Sequence, residues 1–97
     1  SSNLYDVLQH GESPNPEGSL IHESLNTEIG RILNTLNDKE EKVVRLFFGI
    51  DQKSPKSLDE IGQEFDLTRE RVRQIREKAL RKLKKHADNP LLKSFLG

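Results

Sequence analysis

Between Ser57 and Ile75 the chain reads SLDEIGQEFDLTRERVRQI, two helix starts set so close together that only a sharp helix-to-helix turn can join them. Ser57 with Glu60 three positions later is a capping box, in which the two residues satisfy each other's orphan amides at a helix start. Thr68 is a second cap candidate, and only Asp66 and Leu67 separate it from Phe65. That spacing predicts a helix-turn-helix over 58–77. The side chains suit it position by position. Ile61 and Phe65 share one face of the shorter helix, and Gly62 omits a side chain where the crossing helix must approach. Leu67 plugs the turn from inside, and Asp66 stands where the backbone goes left-handed, a conformation aspartate tolerates better than most residues. Val72, Ile75, Ala79 and Leu83 recur at i, i+3, i+7 and i+11, the buried stripe of the longer helix.

The rest of the chain is helical in period as well. Leu25, Ile29, Ile32, Leu33 and Leu36 form one stripe. Asn37 with Glu40 repeats the capping box, Val43, Val44, Leu46, Phe47 and Phe48 supply an apolar face, and Gly49 stops that helix. Asn89 before Pro90 opens a brief last turn. Helices are therefore expected at about 22–36, 38–48, 58–65, 69–86 and 90–96. No segment alternates as a strand does, so the fold class is all-α: a small multi-helix domain over 21–97 with a C-terminal helix-turn-helix. With 32% apolar residues, its core is small. The run HGESPNPEGS (His10 to Ser19) reads as the flexible end of a linker spanning 1–20, and LYDVL (Leu4 to Leu8) is an apolar island too short to fold alone. The chain starts at Ser1 rather than Met, as a segment of a longer protein would.

Several functions find no support. Without cysteine there are no disulfides or thiolate metal sites, which agrees with a reducing compartment. No signal-peptide pattern or membrane-length apolar run occurs, so a cytoplasmic protein with no membrane partner is expected. His10, His22 and His86 lack partners at helical spacing, so no metal is expected, and His86 complements the dipole at its helix end. No Ser/His/Asp grouping and no glycine-rich phosphate loop appears, so neither a cofactor nor an enzyme activity is expected.

Charge carries the functional signal. The chain is neutral overall, yet Arg69 to Lys85 holds nine Lys/Arg against two Asp/Glu. Glu70, Arg73, Gln74, Glu77 and Arg81 follow helical spacing on the face opposite the buried stripe, and Arg69 sits in the first turn. A recognition helix presents such N-terminal residues to base edges in the major groove. Arginine can bind both acceptors of guanine, glutamine can pair with adenine, and a carboxylate can accept from cytosine's amine. Glu70 is the informative oddity, since phosphates repel it; Arg69 and Arg73 beside it would neutralise it. Arg71, Arg76, Lys78, Lys82, Lys84 and Lys85 spread around the helix, placed for phosphates or an acidic protein surface. A salt-bridged, solvated helix is the plainer alternative, but two glutamates cannot neutralise nine cations.

With these residues in hand, the sequence resembles the C-terminal domain of bacterial sigma factors, especially of the primary, housekeeping type. The resemblance runs from about His22 to Gly97 and is carried by LFFGID (Leu46 to Asp51), SLDEIGQEFDLTRERVRQIREKALRKLK (Ser57 to Lys84) and LLKSFLG. NLYDVLQHGESPNPEGS looks like the end of the linker before that domain. The resemblance implies a domain that reads the −35 promoter element in duplex DNA, held on RNA polymerase core by the β flap. It implies base readers at Arg69, Glu70, Arg73 and Gln74, and backbone contacts at Lys39, Leu58, Asp59, Thr68, Arg71 and Lys78. A polymerase-flap or activator surface is implied at Phe48, Arg73, Lys78, Leu80, Arg81 and Leu83. Activators and anti-sigma proteins are further implied partners. The sequence departs from the family at Phe47 and Lys39, where many relatives have arginine, and at Arg76 and Glu77, which replace a glutamate-alanine pair. Two other readings stay open: a free-standing helix-turn-helix regulator that dimerises on an operator, and an interaction module whose basic helix grips an acidic partner.

Overall fold

The computed structural model describes residues 16–97, with side chains described from Leu25 onward. It contains α1 (Pro16–Leu33), α2 (Asp38–Phe48), α3 (Leu58–Phe65), α4 (Arg69–His86) and α5 (Pro90–Leu96), and no strand among the described residues. The expectations for LYDVL and His10 lie outside the described residues, as does the His22 side chain.

Helix α1 differs from expectation at both ends. It begins at Pro16, so 16–20 of the expected linker are helical. A proline fits the first helical position because its missing N–H would have no partner there anyway. It ends at Leu33, three residues before the apolar stripe does. The Thr35 and Leu36 amides bond to the Ile32 and Leu33 carbonyls in tighter turns, at 3.0 and 3.1 Å, and Leu36 is buried within the turn.

The caps fix the other helix starts. Asn37 Oδ1 accepts from the Glu40 amide at 2.8 Å while Glu40 Oε1 accepts from the Asn37 amide at 3.1 Å. Ser57 and Glu60 make the same reciprocal pair at 3.1 and 2.9 Å. Gly49 ends α2 in the left-handed region at φ 74°. The loop that follows is tied down by the Lys56 amide, which donates to the Leu46 carbonyl at 2.9 Å.

Two apolar clusters result. Leu25, Ile29, Ile32, Leu33, Val44, Ala79, Leu83 and Leu92 belong to one, formed by α1, one side of α2, the second half of α4, and α5. Val43, Leu46, Leu58, Ile61, Val72 and Ile75 form the other, between α2, α3 and the first half of α4. Helix α4 spans both. Its C-terminal half is anchored on the α1–α5 side, which leaves its N-terminal half to cross α3 with one face outward.

Candidate nucleic-acid interface

The turn between α3 and α4 is set by three residues. Asp66 adopts φ 57° and ψ 46°, and its amide donates to the Gly62 carbonyl. The Leu67 amide donates to the same carbonyl at 2.8 Å. A Cβ on Gly62 would lie 2.6 Å from the Leu67 carbonyl oxygen, so the close approach glycine permits is to the turn's own backbone rather than to the α4 side chains. Leu67 packs inward against the α2–α3–α4 cluster. Thr68 Oγ1 then accepts from the Arg71 amide at 3.1 Å and starts α4.

On α4 the buried stripe is Val72, Ile75, Ala79 and Leu83. Arg69, Glu70, Arg73, Gln74 and Arg81 all emerge exposed, so the structure brings the five together on one side of the helix. Glu70 and Arg73 are joined: Arg73 Nε donates to both Glu70 oxygens at 3.0 and 3.1 Å, and Nη2 to Oε1 at 2.6 Å. The Arg73 hydrogen bond is the main reason the Glu70 carboxyl sits below its ordinary pKa. Glu70 therefore remains ionised, an acceptor only, with its charge covered by Arg73. Arg69 makes no ion pair among the described residues, so neutralisation falls to Arg73 alone. Beside them, Arg71 Nη1 approaches Gln74 Oε1 at 3.4 Å.

The flanks differ from a uniform basic surface. Lys39, Arg71 and Lys78 are exposed and line one small cleft with Asn37, Glu40, Gln74 and Ile75. The amides of Leu58 and Asp59 open α3 ahead of the capped Glu60 amide, although the Leu58 side chain is itself buried. Two of the spread cations are committed inside the protein. Arg76 lies with its guanidinium 4.7 Å from the centre of the Phe47 ring, and its Nη2 bonds Glu77 at 2.8 Å. Lys82 Nζ donates to Glu40 Oε1 at 2.8 Å. Arg81, Lys84 and Lys85 make no ion pair among the described residues.

On the opposite flank, Phe48, Leu80 and Phe95 are half-buried against the first cluster. Leu83 does not join them. At 2% exposure it is core, so it cannot present its side chain to a partner, and the expected surface role is corrected to support from beneath. A larger hollow, about 390 Å³, lies between α1 and the end of α2, among Ile29, Leu33, Arg45 and Ile50, and no α4 residue lines it. Among the described residues no His/Cys/Asp/Glu group could hold a metal ion, and no helix is long and apolar enough to cross a membrane.

Residues 32–85, which enclose α2, α3 and nearly all of α4, match the family described as Sigma-70, region 4. The chain belongs to that family. RNA polymerase sigma factor SigA of Clostridium acetobutylicum is 44% identical over 95 residues, covering 98% of this chain and 25% of the relative. The proteins of the same name from Listeria monocytogenes serovar 1/2a and Listeria innocua serovar 6a are each 41% identical over the same length. The chain thus spans a quarter of the length of these curated relatives.

Sequence reasoning missed the Glu40–Lys82 bridge and the Arg76–Phe47 stack. The first joins residues 42 positions apart, and nothing local signals it. The second was within reach, since both residues depart from the family pattern.

Proposed function

We propose that this region 4 domain reads the −35 element of promoter DNA, and thereby helps direct RNA polymerase core to the start of transcription. The observation that carries the reading is the exposed Arg69, Glu70, Arg73 and Gln74 face at the N-terminal half of a helix locked by the α3–α4 turn. Arg69 and Gln74 offer donors for purine edges, and Glu70 offers an acceptor for cytosine. Glu70 can approach DNA because Arg73 covers its charge. Lys39, Arg71 and Lys78 on one flank, Thr68, and the Leu58 and Asp59 amides at the start of α3 hold phosphates and fix the register.

The half-buried Phe48 and Leu80, underlain by Leu83, are the surface on which the polymerase β flap seats. Arg73, Lys78 and Arg81 offer charge to acidic activators, and anti-sigma proteins compete for the same faces. The domain works without catalysis or cofactor, in the cytoplasm where its DNA lies. A free-standing dimeric regulator is disfavoured by relatives about four times longer that are named as sigma factors.

The test uses the full-length protein in holoenzyme and a panel of promoter fragments, each with one −35 base pair changed. Gln74→Ala or Arg69→Ala should cost about 1–3 kcal/mol at one base pair and relax choice there, while Lys78→Ala weakens every sequence alike. Equal losses on all fragments for all three variants would refute direct reading.

A further inference from the structure

Glu40 is the one buried charged residue among the described residues, 3% exposed. Its Oε1 takes Lys82 Nζ at 2.8 Å and the Asn37 amide at 3.1 Å. Its Oε2 is buried with no hydrogen-bond partner. Buried carboxylate oxygens are rarely left without a donor. Glu40 lines the cleft of about 120 Å³ that also holds Lys39, Arg71, Gln74 and Lys78.

The choice among those donors follows from geometry. Arg71 leans toward Gln74, and Lys39 is the sequence neighbour of Glu40 on the exposed side of α2. The Lys78 side chain makes no hydrogen bond among the described residues, and its charge already acts on Glu40. It stands one turn before Lys82 on the same side of α4; Lys82 reaches Glu40 by a hydrogen bond, and Lys78 lines the same cleft as Glu40.

We propose that Glu40 is a positioning residue for DNA-backbone binding, with its free Oε2 the acceptor on which the Lys78 ammonium rests. The proposal builds on the DNA reading above. An ammonium has three donors, so one bond to Oε2 leaves two for a phosphate. A lysine stem is flexible, and fixing it beside Gln74 before DNA arrives removes that ordering from the binding step. Glu40 thus links the start of α2, where Lys39 stands, to the phosphate-binding flank of α4.

The experiment is a double-mutant cycle in holoenzyme, with Kd measured on a −35 promoter duplex for wild type, E40Q, K78M and the double variant. E40Q keeps an oxygen for the Asn37 amide, so the cap survives; E40D, which draws the carboxylate back by one methylene, serves if E40Q fails to assemble. K78M should weaken all sequences by a common factor, and that factor should shrink at least about threefold when Glu40 is glutamine. In ¹⁵N-lysine-labelled full-length protein, the Lys78 ammonium signal should shift in E40Q and stay in place in K82M. A K78M factor that is unchanged or larger with E40Q overturns the proposal. So does K82M shrinking that factor as E40Q does, since Glu40 would then act only by tying α2 to α4. If the wild-type protein shows no preference for the −35 hexamer, the DNA reading falls and the proposal with it. If the preference stands and the factor does not move, the proposal alone falls.

Discussion

Gly62 and Gly30 both lie inside helices, yet the same substitution should move stability in opposite directions at the two sites. Alanine in a helix interior gains about 1 kcal/mol over glycine, mainly because glycine loses more backbone entropy on folding. At Gly30 nothing lies within 4 Å of the added Cβ, so that gain should appear undiminished. At Gly62 the new atom meets the Leu67 carbonyl oxygen at 2.6 Å, whereas ordinary contact begins near 3.4 Å. The obstacle is backbone, in a turn pinned by the 2.8 Å bond from the Leu67 amide to the Gly62 carbonyl. Relief therefore means moving α4 relative to α3, or bending the turn. Overpacking of this kind costs about 1–3 kcal/mol, and the upper half of that range applies where a side chain cannot simply rotate away. Subtracting the helix gain leaves Gly62→Ala destabilised by about 1–2 kcal/mol, a fall in Tm of roughly 5–15 °C for a domain of this size. Gly30→Ala should raise Tm by roughly 2–8 °C. Thermal and urea denaturation of the 97-residue chain, followed by circular dichroism, measures both. A Gly62→Ala variant as stable as wild type would refute the steric account of the turn, as would equal losses at the two sites.

Two further outcomes follow from the caps and the buried carboxylate. Ser57→Ala removes the acceptor for the Glu60 amide and should lower stability by about 1 kcal/mol, read as a shift in the urea midpoint at unchanged slope. For Glu40, burial opposes ionisation, but the Lys82 and Asn37 hydrogen bonds and the nearby Lys78 charge outweigh it and hold the carboxyl below its ordinary 4.5. A lowered folded-state pKa means the unfolded chain takes up the proton first, so this stabilisation is complete above 4.5 and disappears as pH falls below it. The stability gap between wild type and Glu40→Gln should accordingly close in that acidic range, in urea titrations run from neutral to acid pH. A gap that stays constant would show that the charge contributes nothing.

The helix-turn-helix was legible because every instruction for it is local. Ser57 and Glu60, Gly62, Asp66 and Thr68 act on backbone within a few residues of themselves, and the stripe from Val72 to Leu83 needs only helical spacing. The outward face of Arg69, Glu70, Arg73 and Gln74 follows from that stripe by exclusion. Periodicity misled where a stripe outlasts its helix. Leu36 keeps the spacing set by Leu25, yet it is buried by a turn. Composition misled at the other end of α1, because a proline that breaks a helix interior can open one at Pro16. Leu83 drew two incompatible expectations, a place in the buried stripe and a place on a partner surface. Geometry decides between them, since a side chain 2% exposed within the core cluster that also holds Ala79 and Leu92 has no second face to offer. The basic run was legible as a total but not in its partition. Which cations remain free depends on residues of α2 that only the folded chain brings near: Glu40 takes Lys82, and Phe47 takes Arg76. Both subtractions fall on the flanks of α4, and neither involves Arg69, Glu70, Arg73 or Gln74. Under the proposed DNA reading, base choice therefore follows from local sequence and the phosphate contacts from how α2 packs against α4, so substitutions in α2 should retune overall affinity without changing which base is preferred.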